Sequence, residues 1–154
     1  MLVETSGKLE DFDVQITLPE EDSEWKFEMT AEMNSLNTLH TIRDTRIKEA
    51  DFLDIKEYPQ MTFQSLSCLR TAKNQFELKG KLTLKGLQRE VCLQAFYRGK
   101  AKDSYSGETK MGWQIKGEID RREWGVDFNL PFEGKGVAIG NKVKIRAELE
   151  FKEG

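Results

Sequence analysis

One histidine, two cysteines and three prolines are all that this chain of 154 residues carries of the types that most often build metal sites, disulfide frameworks and rigid turns. A lone His40, with no cysteine near it in sequence, cannot supply a histidine-rich metal centre, so no metal is expected and His40 is read as a surface residue. It also lacks the partners that a Cys-His or Ser-His-Asp arrangement needs, so no catalytic residue is assigned. Cys68 and Cys92 are too few for a disulfide framework and read as free, half-buried thiols, a single disulfide between them being the alternative. No apolar run approaches the roughly 18 residues of a membrane span. No charged-then-apolar leader opens the chain, which is therefore expected to be cytoplasmic as it stands, or periplasmic or secreted if a leader was removed. The net charge is only −3, with 33% of residues charged and the signs mixed. Such a surface has no field to draw in nucleic acid or anionic headgroups, and no basic block carries interleaved aromatics.

What the chain does have is aromatic mass: nine Phe, three Trp and three Tyr must fill a core or line a cavity. It also has period-two alternation. Phe12, Val14, Ile16 and Leu18 share one face, as do Trp25, Phe27, Met29, Ala31 and Met33. Strand character returns over Met61 to Leu69, though its two faces are hard to rank. It continues through Phe76 to Leu84, a turn at Lys85-Gly86, and Val91 to Tyr97. Lys100 to Thr109 reads as a polar loop, Met111 to Ile119 as a strand, Arg121 to Gly140 as looser chain, and Val143 to Phe151 as the closing strand. The one interruption lies near residues 37–54, where the period is lost and Asn37 or Thr38 could cap a short helix. A helical segment in an otherwise all-β chain reads as a lid.

The expectation is a single domain over residues 1–154. It is all-β: an antiparallel barrel of seven or eight strands, depending on whether Leu2 to Leu9 pairs separately, with one short helical segment. Each strand buries one face and solvates the other. Gly80 and Gly117 interrupt the buried face, where they bend a strand or leave room. Alternation does not decide between a hollow and a solid centre, since small barrels can be filled by side chains or hold one ligand.

Several local patterns carry no chemistry. Gly134 to Gly140 imitates a phosphate-binding loop without the strand-before, helix-after context. Glu118 and Asp120 read as a solvated strand face, and Arg121-Arg122-Glu123 as surface ion pairs.

Four blocks, in order, resemble the YceI-like family. They are Arg43-Asp44 through Ala50-Asp51-Phe52, Asp54, Tyr58-Pro59, Thr62-Phe63 and Ser65; Leu82-Thr83-Leu84 with Gly86 and Val91; Ile119, Arg121 and Trp124-Gly125; and Gly136-Val137, Ile139-Gly140 and Val143. The resemblance implies a lipocalin-like barrel with a long apolar pocket for a polyisoprenoid or fatty-acid-like lipid. No other cofactor and no enzymatic activity is expected, because the inward faces carry almost no polar groups; the alternatives are a solid-core structural or interaction domain and an enzyme acting on an apolar chain. Arg46, Lys48 and Asp120 stand where the family often has histidine, arginine and asparagine. Burial is worth roughly 0.8 kcal/mol per methylene, so a tail of ~20 carbons gains at most ~16 kcal/mol before ordering costs, with no polar chemistry required. The tail is expected against Phe27, Met29, Phe63, Leu78, Trp113, Ile115 and Trp124, each of which could equally be ordinary core. Arg43, Asp44 and Asp51 are expected to form a polar network that pins the helical segment to the barrel, with headgroup binding as the alternative.

The family opens with a strand that has no counterpart here; Val3, Gly7, Leu9, Phe12 and Asp13 match the strand after it. A barrel without that strand has an open seam with unpaired main-chain groups. A homodimer covering the seam, or Met1 to Leu9 swinging across it, is expected to close it.

Overall fold

The computed structural model describes residues 6–20, 24–127 and 140–152. Its organising element is one seven-stranded antiparallel sheet in the order β2-β3-β5-β6-β7-β8-β9, curled into a nearly closed barrel. The strands are β2 (Phe12–Thr17), β3 (Lys26–Glu32), β5 (Gln60–Ala72), β6 (Gln75–Leu84), β7 (Leu87–Lys102), β8 (Thr109–Asp120) and β9 (Lys142–Lys152). Two short strands, β1 (Lys8–Leu9) and β4 (Leu36–Asn37), pair with each other outside this sheet. Helix α1 (Thr41–Ile47) sits between β4 and β5, and a 3-10 turn, Arg121–Trp124, follows β8.

The alternation explains the inward face. Across β3, β5 and β6, Met29 stands opposite Phe63 and Phe63 opposite Leu82. Across β8 and β9, Trp113 stands opposite Leu149 and Ile115 opposite Ala147. Their neighbours Glu28, Gln64 and Lys81, or Gln114 and Glu148, line the other face. The β6–β7 hairpin turns on Lys85 and Gly86, both at positive φ (51° and 74°), the geometry of a two-residue turn that follows the sheet's twist.

Three expectations change. The helix is shorter than residues 37–54: it stops at Ile47 and the chain continues in turns to Tyr58, because Phe52 and Leu53 tuck into the core. The cap is His40, whose Nδ1 accepts the Arg43 N–H at 3.1 Å, and not Asn37 or Thr38. β7 runs on through Lys102, so the polar loop between β7 and β8 begins only at Asp103.

Among the described residues β2 pairs only with β3, and β9 only with β8. Parity explains why these edges do not join in an antiparallel ladder. With seven strands alternating in direction, the first and the last run the same way. The described part of the amino-terminal segment does not cross the gap, because Lys8 and Leu9 pair with Asn37 and Leu36 instead.

Candidate functional site

Among the described residues no strand bridges β2 and β9, and the side between them is apolar where solvent reaches it. Phe12, Val14 and Ile16 stand opposite Ala31, Met29 and Phe27, so their side chains belong to the inward face. Phe12 is nevertheless 49% exposed, and Val14 and Ile16 are only half-buried. On the other edge Val143 is 38% exposed, while Ile145, Ala147 and Phe151 are half-buried and Leu149 is buried. Among the described residues the two edges thus leave partly uncovered apolar side chains on the barrel's flank, an apolar strip that we call the trough.

Behind the trough lies an aromatic core. In one layer Ile16 of β2 stands opposite Phe27 of β3, and Leu149 of β9 opposite Trp113 of β8. Phe27 and Trp113 meet across the barrel edge to face, with ring centroids 5.1 Å apart and planes at 87°. Trp25, Tyr97 and Phe76 also surround Trp113, at 5.1, 5.2 and 5.5 Å. Trp25 and Tyr97 are half-buried and cover Trp113 from one end of the barrel.

The helical segment occupies the other end. Ile47, Phe52 and Leu53 are buried there, and Arg121 lies 5.6 Å from the Phe52 ring centroid. Arg121 lies in the interior and not at the surface. It is 4% exposed and donates to the Gly140 carbonyl at 3.0 Å and the Val126 carbonyl at 2.6 Å. Burial holds its pKa below the ordinary arginine value. The surface pair falls to Arg122 and Asp120 at 2.6 Å; the Arg122 hydrogen bond holds the Asp120 carboxyl well below the usual range.

The seven expected lining residues all lie on the inward side. Phe27 and Trp113 touch, and Met29 and Phe63 are paired opposite each other. Leu78 and Ile115 are buried in the same core, and Trp124 sits towards the helical end with its indole N–H donating to the Leu82 carbonyl at 2.9 Å. Around Trp113 the described residues fill the centre. The gaps at Gly80 and Gly117 are occupied too: a Cβ there would come within 2.4 Å of the Phe63 ring and 2.3 Å of Leu93 Cδ2. One recess of about 270 Å³ lies mainly on the outward side, among Glu28, Thr30, Thr62, Gln64, Lys81 and Thr83. That is below the roughly 300–1,000 Å³ of typical small-molecule pockets.

Trp25, Phe76 and Tyr97 complete the aromatic cluster and are not among the expected lining residues. Their signal was the same alternation, which marks inward positions without telling which inward residues meet.

The polar candidates divide into two groups. Arg43 donates from Nε to Thr38 Oγ1 at 2.9 Å and from its terminal nitrogen to the Thr38 carbonyl at 2.8 Å. Asp44 accepts from the Thr38 N–H at 3.0 Å and from the Thr38 hydroxyl, which holds its carboxyl below the ordinary value. Asp51 instead pairs with Arg46 at 2.7 Å, and that bond lowers the Asp51 pKa. These bonds staple the segment to itself. Apolar packing of Ile47, Phe52 and Leu53 attaches it to the barrel.

Both cysteines are free, Cys68 buried and Cys92 exposed; burial, with the Glu24 carboxylate nearby, pushes the Cys68 thiol up to about 11. Among the described residues no group of three or more His, Cys, Asp or Glu could hold a metal ion. No described helix is long and apolar enough to cross a membrane.

The likeness to known proteins is extensive. A UPF0312 protein of Staphylococcus aureus is 30% identical over 98% of this chain and 86% of its own length. The crystal structure of the Campylobacter jejuni YCEI protein superposes with a TM-score of 0.85 at 24% identity, covering all of this chain and 88% of that one. A polyisoprenoid binding domain from Saccharophagus degradans superposes with a TM-score of 0.59 at 10% identity, over 98% of this chain and 100% of that one. The model of the YceI-like domain matches residues 1–151, and the chain belongs to that family.

Proposed function

We propose that this protein binds, carries or stores a long-chain isoprenoid or fatty amphiphile without transforming it, the tail lying in the apolar trough between β2 and β9. The observation that carries the reading is the wetted inward face: Phe12, Val143 and their half-buried neighbours present apolar side chains that the barrel's own strands leave uncovered. Covering such surface is favourable in proportion to its area, roughly 25 cal/mol per Å². The Saccharophagus domain of similar fold, described as polyisoprenoid binding, supports the same ligand class. A non-enzymatic role fits an inward face of hydrocarbon and aromatic groups, because a reaction would require convergent polar groups beside the ligand. Arg43, Asp44 and Asp51 serve order in the helical segment in this reading, not headgroup recognition.

Native mass spectrometry of freshly purified protein tests it. The expected result is an added mass that organic extraction removes and that is recovered chemically unchanged. The Phe27→Asp variant places a carboxylate in the aromatic core behind the trough and should lose that mass while its circular dichroism remains that of a β-sheet. A wild-type protein that takes up no long-chain amphiphile, even when one is supplied, would overturn the reading.

The edges of β2 and β9, unpaired among the described residues, favour a homodimer as well. A second copy turned over about a two-fold axis meets β9 with its own β9 in antiparallel register. The ligand uses side chains on the inward face, and the partner uses main-chain groups along the edge, so the two uses are compatible.

A further inference from the structure

Two tryptophans of the core are equally inaccessible but differ in one respect. Trp124 is 0% exposed and its indole N–H is bonded to the Leu82 carbonyl. Trp113 is 1% exposed, and among the described residues its Nε1 has no hydrogen-bond partner. Buried polar groups are almost always satisfied, because an unmet donor forfeits its bond to water and gains nothing in return. We propose that the Trp113 indole N–H is the donor that fixes an oxygen atom of the bound amphiphile. The ligand class is thereby narrowed to apolar chains that bring a carbonyl, hydroxyl or ether oxygen inside the barrel. The inference rests on the reading of the trough as a lipid site.

The surroundings of Trp113 decide what kind of acceptor suits it. Trp25, Phe27, Phe76 and Tyr97 enclose it, all within 5.5 Å between ring centroids. A water needs two to four polar partners, and this shell is chiefly aromatic carbon. A ligand oxygen carried on a hydrocarbon tail needs only one donor, and its remaining atoms are matched by the same rings. The edge-to-face approach of Phe27 offers the N–H a ring face at best, a second-order contact.

Position agrees with chemistry. Trp113 and Phe27 lie directly behind the trough, paired opposite Leu149 and Ile16 of the two edge strands. The half-buried Trp25 and Tyr97 are what an arriving chain would displace to reach the indole from the barrel's end. Trp113 is thus a specificity residue: the hydrocarbon supplies affinity, and the indole sets how far in the oxygen sits.

The test compares hexadecane with a hexadecanone, chains of equal length that differ by one carbonyl, each delivered to the full chain from cyclodextrin. The ketone should bind about tenfold more tightly, the value of one ordinary hydrogen bond. The Trp113 indole cross-peak in the nitrogen–proton spectrum should move downfield with the ketone and not with the alkane. In Trp113→Phe, the ketone's advantage over the alkane should disappear. The spectrum is read on the wild-type protein and so stands even if that variant folds poorly. Equal binding of both chains, or a cross-peak indifferent to the ketone, overturns the role of Trp113 and leaves the lipid site intact. Failure of both chains to bind overturns the lipid site itself.

Discussion

Gly80 and Gly117 show how much a single position can hide. Both stand on the inward face, and a missing side chain there can mean a void or a close approach. Both are close approaches, but of different kinds. At Gly80 an added Cβ would lie 2.4 Å from the Phe63 ring and 2.7 Å from the Gln64 carbonyl, a stiff ring and a fixed main chain. At Gly117 the nearest atom, at 2.3 Å, is the far end of Leu93, with the Leu93 Cα at 3.7 Å. A leucine tip can rotate away; a sheet carbonyl cannot. Gly80→Ala should therefore destabilise by about 1–3 kcal/mol, the usual cost of overpacking. Gly117→Ala should fall near zero, because alanine regains roughly 0.5–1 kcal/mol over glycine within a strand. Thermal unfolding of the two variants checks the order. Equal losses would mean that the space beside Leu93 is as rigid as that beside Phe63. The sequence placed both glycines on the inward face but could not say what fills the room they leave, because alternation reports direction and not depth.

The strands were the most legible elements and the helical segment the least, for identifiable reasons. β5 is the exception among the strands. Its pairing with β6 shifts register between Ser65 and Ser67, so Phe63 and Cys68 both end buried while Leu66 and Leu69 are each 51% exposed. One extra residue inverts parity, which is why the two faces of that strand could not be ranked. In the helical segment Leu39 and Asp54 adopt positive φ, at 61° and 50°, and nothing in a leucine announces that. The turn before α1 holds because Asn37 Oδ1 accepts the Leu39 N–H at 2.8 Å and Thr38 is bonded by both Arg43 and Asp44. A pH dependence follows. Hydrogen bonds from Thr38 and from Arg46 keep the Asp44 and Asp51 carboxyls below their ordinary 3.8. A carboxyl depressed on folding contributes stability that is full above its unfolded value and lost as pH falls through its folded one. Protection of amide protons over Thr38 to Tyr58 should be flat above about pH 5 and fade below pH 4, ahead of the sheet. Asp44→Ala should lower the melting temperature at neutral pH and blunt that acid response. Unchanged stability with an altered ligand preference would move Asp44 from holding the segment to recognising a headgroup.

For the molecule as a whole, the direction count and the chemistry of the gap lead to one experiment. Seven antiparallel strands leave β2 and β9 running the same way, each with one edge unpaired among the described residues. Bare edges recruit other strands unless charges, bulges or cover prevent it. The outward row of β9 does carry charge, with Lys142, Lys144, Arg146, Glu148, Glu150 and Lys152, but its inward row from Val143 to Phe151 is apolar throughout. The filling of the centre around Trp113 was not legible in the sequence, because alternation does not decide between a hollow and a solid core. Light scattering at tens of micromolar should report a dimer. A charge pointing inward from an edge strand is a common natural block to pairing, and Val143 is exposed enough to accept one without unfolding the barrel. Val143→Lys should therefore give a monomer with an unchanged sheet spectrum. The bound lipid separates the two uses of the seam. A wild-type protein that is strictly monomeric yet retains an extractable amphiphile would show that the ligand alone covers the gap, and the dimer would be abandoned. A dimer that survives Val143→Lys would place the contact away from β9, because an inward lysine on that edge is incompatible with a neighbouring strand packed on the same face.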